Sequence, residues 1–281
     1  MAEATNADDY ATEIRPKADW LLRLACMFLL VCFLLAVFAH ILPLYGYSTM
    51  GPARLAAPSS AHLFGTDQFG RDILARVVFG IRTSLWVAAI GVATSTAIGM
   101  PMGLMAGLLG GATEAVFMRI LDALLAFPAL LLAIGISAVL GSGATSAALA
   151  LGIVGVPQMA RIVRGAVLAE KSNQYVDAAR AIGVSNGMIM LRHILPNVAA
   201  PAIVQAALYF SVAILTEASL SFLGLGVQVP LPSLGSMLYE ARQFMSLAPW
   251  YAIVPGTAIT LLVLAMNMLA DALRDRLDPI Q

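Results

Sequence analysis

Long apolar runs alternate with short polar breaks along the whole chain. A helix that crosses about 30 Å of hydrocarbon, rising about 1.5 Å per residue, needs about 20 largely apolar residues. Stretches 20–42, 84–109, 115–140, 145–161, 198–220 and 251–270 meet that need. The fourth is the weakest, because Pro157 falls near its end and Arg161 and Arg164 follow at once. The first is preceded by Glu3, Asp8, Asp9 and Glu13 and outruns the 7–15-residue core typical of a signal peptide, so it is expected to be a retained anchor. The pattern predicts an all-α, polytopic membrane protein with six transmembrane helices.

Two polar stretches interrupt this pattern. In 69–85, Arg71, Asp72, Arg76 and Arg82 alternate with Ile73, Leu74, Val77, Val78, Ile81 and Leu85 at helical spacing. That two-faced pattern predicts a helix lying along the membrane before the second span. The other stretch, from Arg161 to Asn197, separates the fourth and fifth spans. Ser172 or Asn173 can cap a helix over 174–182, and Gly183 supplies a left-handed stop. Ser185 can cap a second helix over 186–194, which ends before Pro196. The reading is a helical hairpin. Val176, Ala179 and Ile182 share one face of its first helix, flanked by Tyr175 and Ala178. Spacing alone allows that helix to dock on another protein or to fold back on its own bundle.

Composition sharpens this picture. Hydrophobic residues make up 60% of the 281 and charged residues 11%, against about 25% charged in soluble domains. Net charge is zero, and no basic tract points to nucleic acid. Lys and Arg favour cytoplasmic segments. Placing both termini and the 161–197 stretch inside puts eleven of the sixteen Lys and Arg on that side, and three of the other five lie between Arg71 and Arg82.

Catalytic patterns are missing. A P-loop needs a lysine in a glycine-rich turn to reach the phosphates, yet Lys17 follows Pro16 and Lys171 follows Glu170. His40, His62 and His193 are scattered, and Cys26 and Cys32 share one apolar run as packing residues, so no metal or cofactor site is expected. Gly141-Ser142-Gly143 reads as a tight turn between spans. Among ionisable residues at membrane depth, functional candidates by default, Glu217 lies near the outer end of the fifth span. It lines a pathway, pairs with a residue of a partner subunit, or is hydrogen-bonded internally. Asp122 follows Arg119 by three residues, which predicts an ion pair within one helix. A secondary transporter would leave the long inner hairpin without a role and the chain shows no internal repeat, a membrane enzyme would need the catalytic set that is missing, and a structural subunit with no transport pathway is the third alternative.

Asp177-Ala178-Ala179, then Gly183, His193 and Leu195-Pro196 resemble the "EAA" signature of ATP-binding-cassette importer permeases. Three further strings resemble the dipeptide, oligopeptide and nickel branch: residues 64–72 (FGTDQFGRD), Arg119-Ile120-Leu121-Asp122 with Phe127-Pro128, and residues 215–226 (LTEASLSFLGLG). Asp177 stands where the family usually has Glu, and His193 is the residue usual in the peptide branch.

The resemblance implies a type I importer permease fold in a bacterial inner membrane with both termini cytoplasmic. It also implies a division into a tail (1–19), first span (20–42), periplasmic loop (43–83), permease core (84–271) with a coupling hairpin (165–196), and second tail (272–281). Tyr175, Val176, Asp177, Ala178, Ala179, Ile182, Gly183, Leu195 and Pro196 would couple to ATPase subunits, with Ala178 and Ala179 as the contact. Glu217, Asp122 and Arg119 would be pathway or gating residues. The implied partners are a second permease, two cytoplasmic ATPase subunits that bind the ATP, a periplasmic or lipid-anchored substrate-binding protein, and membrane lipid. The substrate would be a dipeptide, an oligopeptide or a related solute.

Overall fold

The computed structural model describes residues 15–277. Its helices are α1 (Arg15–Phe38), α2 (Ile73–Leu109), α3 (Gly111–Leu125), α4 (Ala129–Leu140), α5 (Ala144–Lys171), α6 (Gln174–Ala181), α7 (Asn186–Ile189), α8 (Leu195–Phe222), α9 (Leu234–Ala241) and α10 (Pro249–Leu277). Five stretches are long and apolar enough to cross a membrane, and six if the bent pair α3–α4 counts as one.

The central seam joins α2 and α5, which run parallel. Gly91, Gly99, Gly103 and Gly107 of α2 face Leu151, Met159, Val163 and Val167 of α5 in the same order. Without a hydrophobic effect between helices in lipid, close backbone approach and dispersion contacts do the joining, and small residues permit it. A methyl group added at Gly103 would lie 2.5 Å from the Ala160 carbonyl oxygen. Where the two helices end together, Lys171 Nζ donates to the carbonyls of Leu108 at 2.9 Å and Gly107 at 3.3 Å. A cation there meets the negative end of α2.

The second span therefore runs toward the end of the bundle that carries α6. The pair α3–α4 returns, α5 descends beside α2, α8 returns, and α10 descends to that end again. Leu35, Ala39 and Leu42, around the end of α1, pack with Val78 and Phe79 near the start of α2. The start of α1 thus points toward the α6 end as well.

Several sequence expectations change. The helix expected over 69–85 along the membrane surface does not form. Asp72 caps α2, accepting from Ala75 N at 2.8 Å, and α2 runs unbroken to Leu109. Arg71 and Arg76 are buried rather than surface charges. The third span breaks at residues 126–128, with its halves bent by 91°. Pro128 has no N–H and pushes Phe127 out of helical geometry, so the ladder cannot cross it. Pro157, by contrast, sits inside α5, which continues past Arg161 and Arg164 to Lys171. The second hairpin helix does not end before Pro196. It passes through a π-helical turn, Met190–Ile194, straight into α8. A π turn absorbs the extra residue that lets Pro196 fall in the first turn of α8, where its missing N–H costs little. Cys32 is buried, as a packing residue should be, whereas Cys26 is exposed.

Candidate functional site

The α6 end holds the most distinctive surface element. α6 begins after Asn173 in extended geometry and ends in Gly183, with φ +83°. Val184 N donates to Ala179 O at 3.0 Å and Gly183 N to Arg180 O at 2.9 Å. These bonds cap the carbonyl end, and only glycine takes that φ without strain. Ser185 then accepts from Met188 N at the start of α7.

Val176 and Ala179 are buried and pack with Leu104, Leu108, Val163, Val167, Ile189 and Ile194. Of the two small residues expected to form an outward contact, only Ala178 faces out; Ala179 faces its own bundle. The physical reason is the cluster of α2 and α5 side chains beneath, which takes up Val176 and Ala179 and leaves Asp177, Ala178 and Ala181 outside; Ile182, expected on the same face as those two, lies just past the end of α6, where the chain leaves helical geometry and turns its side chain out. Ile182 is 82% exposed. An isoleucine so exposed beside alanines is a ready contact for a partner. Leu195 is half-buried and Pro196 is exposed at the start of α8.

A polar tie missed in the sequence fixes the angle of α6. Tyr175 donates its hydroxyl hydrogen to Glu170 of α5, and Asn197 Nδ2 of α8 donates to Glu170 Oε1 at 2.8 Å and to Tyr175 Oη at 3.1 Å. Loss of solvent, then the carboxylate it donates to, raise the Tyr175 phenol above its ordinary value, so it stays a donor. Glu170 and Asn197 lie 27 residues apart, so no local pattern could pair them. Between α5, α8 and the end of α10 lies an open cavity of about 860 Å³, with Glu170, Asn197, Gln205 and Arg274 among its polar lining.

Deeper in the bundle, Arg119 and Asp122 do not pair. Asp122 takes Arg161 of α5 instead, Nη2 to Oδ1 at 2.5 Å, and Glu114 takes Arg164. The i,i+3 partner lost because α3 lies against α5, which brings a guanidinium onto Asp122 from another helix. Glu217 is fully buried in α8 and accepts from Ser221 Oγ at 2.7 Å, while Ser221 Oγ accepts from Val227 N at 3.1 Å. One carboxylate oxygen is thus bonded within the bundle, while Oε2, equally buried, has no hydrogen-bond partner among the described residues.

At the opposite end a second missed cluster joins the 64–72 string to α9 and α10. Arg71 reaches Asp67 at 2.5 Å and Glu240 at 2.6 Å, and Arg76 reaches Glu240 at 2.9 Å. Tyr251 donates to Glu240 at 2.8 Å. Thus Asp67, Arg71 and Arg76, read from the sequence as loop and surface charges, form a buried network. Among the described residues no group of three or more His, Cys, Asp or Glu side chains is placed to hold a metal ion.

Comparison with known proteins places this arrangement. Residues 99–280 match the family model for the binding-protein-dependent transport system inner membrane component. The dipeptide transport system permease protein of Alkalihalophilus pseudofirmus is 47% identical, covering 88% of this chain and 81% of its own. A glutathione transport system permease protein of Escherichia coli is 42% identical, covering 91% and 85%. In fold, the chain is similar to the MetNI methionine ABC transporter in inward-facing conformations, with TM-score 0.62, 18% identity, and coverage of 73% of this chain and 98% of that one. It is likewise similar to an amino acid ABC transporter crystallised with histidines, at TM-score 0.57 and 17% identity over 72% of this chain and 94% of that one. With its apolar spans, its capped polar helix at one end and this match over well more than half its length, the chain belongs to the family of binding-protein-dependent transport system inner membrane components, the permeases of ATP-binding-cassette importers.

Proposed function

We propose that this permease forms half of the pathway of an ATP-driven importer for dipeptides, oligopeptides or related small solutes such as glutathione. Its partners are a second permease, two cytoplasmic ATPase subunits and a substrate-binding protein on the far side. The identity to dipeptide and glutathione permeases over more than four-fifths of the chain supports the substrate class. The α6 end, which carries Lys171, Arg180, Arg192, Arg274 and Arg276, faces the cytoplasm in this reading.

The geometry of α6 carries the mechanism. Its outer face, Asp177, Ala178 and Ile182, docks in a cleft of an ATPase subunit. Its inner face, Val176 and Ala179, is packed into the bundle, and the Tyr175–Glu170–Asn197 tie binds it to both α5 and α8. When ATP draws the two ATPases together, a pull on α6 moves α5 and α8 as one lever, and the pathway opens to the other side. Hydrolysis resets it. ATP chemistry stays on the partner subunits.

One substitution tests this reading. Ile182→Asp places a charge on the docking face without touching the core. It should lower co-purification of the ATPases at least tenfold and abolish ATP-dependent dipeptide uptake in proteoliposomes, with the permease still inserted. Normal uptake by Ile182→Asp, or uptake by the purified single chain driven by a proton gradient, would overturn the reading.

A further inference from the structure

The open cavity at the α6 end, about 860 Å³, has the size of an ordinary ligand pocket, roughly 300–1,000 Å³. Three helices wall it. Glu170 comes from α5, Asn197 and Gln205 from α8, and Arg274 from the last turn of α10. Val204 and Leu208 of α8 add apolar surface. Gln205 is the anomaly among these groups. It is only 7% exposed and lines the cavity, yet its side-chain amide bonds to no described residue. A buried amide left unpaired is costly, so its donors and acceptor are completed by what fills the cavity.

The tie that fixes α6 borders the same space. Its bonds use Oε1 of Glu170 and Nδ2 of Asn197, so Glu170 Oε2 and Asn197 Oδ1 take no part in it. The lining therefore offers two acceptors for a cation, a guanidinium for an anion, an amide that both donates and accepts, and an apolar wall. A triphosphate would meet one guanidinium and be repelled by Glu170. A short peptide with free ends matches every group, since its ammonium and carboxylate make charge-assisted bonds and its peptide bond, like Gln205, both donates and accepts. An extended dipeptide separates its ends by about 7 Å. The lining from Pro196 to Leu208 runs about 18 Å along α8, at about 1.5 Å per residue, which leaves room for it.

We propose that this cavity is an inner binding site for a short zwitterionic peptide, through which peptide already in the cytoplasm slows further uptake. Glu170 and Asn197 take the ammonium, Gln205 the peptide bond and Arg274 the carboxylate. Bound there, the peptide bridges α5, α8 and α10 and reinforces the tie that joins α6 to α5 and α8. The lever then resists the pull of the ATPases, and turnover falls. This inference rests on the peptide-importer reading, with the α6 end inside, and adds a feedback control to it.

The test uses the whole importer in proteoliposomes, with its ATPases in the lumen and saturating binding protein and labelled dipeptide outside. The lumen holds ATP alone, ATP with millimolar unlabelled dipeptide, or ATP with the N-acetyl dipeptide. Free dipeptide inside should slow initial uptake at least fivefold, and the N-acetyl form less than twofold. In Gln205→Leu and in Arg274→Gln, uptake with dipeptide inside should come within twofold of uptake with ATP alone. No slowing, equal slowing by both peptides, or full slowing in both variants would overturn the proposal. If the unaltered importer moved no dipeptide with ATP alone inside, the peptide reading itself would fall. Uptake that ignores the luminal peptide sinks the inner site alone. A second measurement needs no turnover. With the other cysteines of the complex replaced, Cys26 and Cys32 among them, Ala169→Cys, exposed on the cavity wall, should react with a charged thiol reagent in the purified permease–ATPase complex. Millimolar dipeptide, but not its N-acetyl form, should slow the reaction severalfold. An inert thiol, covered by another subunit or by lipid, or equal protection by both peptides, would refute the site.

Discussion

Removing one member of a buried ion cluster leaves the others uncompensated in a low-dielectric surrounding, at about 3–5 kcal/mol. Glu240 holds that position for Arg71 and Arg76, whose exposures are only a few per cent. Glu240→Ala should therefore lower the thermal midpoint of the detergent-solubilised importer strongly. Asp177→Ala, which removes the exposed Arg180–Asp177 pair, should change stability by only about 0–1 kcal/mol. Comparing the two melts checks both values. The sequence shows all of these charges but not their pairing. Arg76 and Glu240 lie 164 residues apart, and periodicity around Arg76 reads as a surface face because its acid comes from elsewhere. Asp122 is the same case, with its guanidinium arriving 39 residues later instead of from Arg119.

The legibility of each element follows where its signal is stored. α6, its Gly183 stop and the Ser185 cap were readable because caps and left-handed turns are local chemistry. The inward face of Ala179 was not, since its orientation depends on the cluster of α2 and α5 side chains beneath it. The glycine seam of α2 makes its own prediction. Gly103→Leu would drive a side chain into the Ala160 backbone and Val163, and overpacking of this kind costs about 1–3 kcal/mol or more. Gly135→Ala, with nothing within 4 Å of its added methyl, should be neutral or slightly stabilising through helix propensity. Detergent melts of the two variants should differ in sign or in size accordingly. A matching test at the α6 turn is Gly183→Val, which forces a β-branched residue to φ +83°. It should cut uptake strongly while insertion is retained, measured as membrane-extracted protein against transport rate.

At the scale of the molecule, six passes with the α3–α4 pair counted as one place the start of α1, α6 and the end of α10 at one end of the bundle. Single cysteines at Ile182 and Leu63, both well exposed, should then label from opposite sides in oriented vesicles. Labelling of both from one side would refute the pass count. By itself the sequence determined that the chain lives in a membrane, how many apolar runs it has, which segment caps one end, and that no P-loop accompanies them. Those features follow from hydrocarbon thickness and backbone hydrogen bonding, which act on consecutive residues. Only the tertiary structure decided which charges meet, that the presumed surface helix is the root of α2, that the third span is broken, and which face of α6 is free. Each of these is a meeting of side chains distant in sequence, and a linear pattern holds no record of what lies across a helix interface.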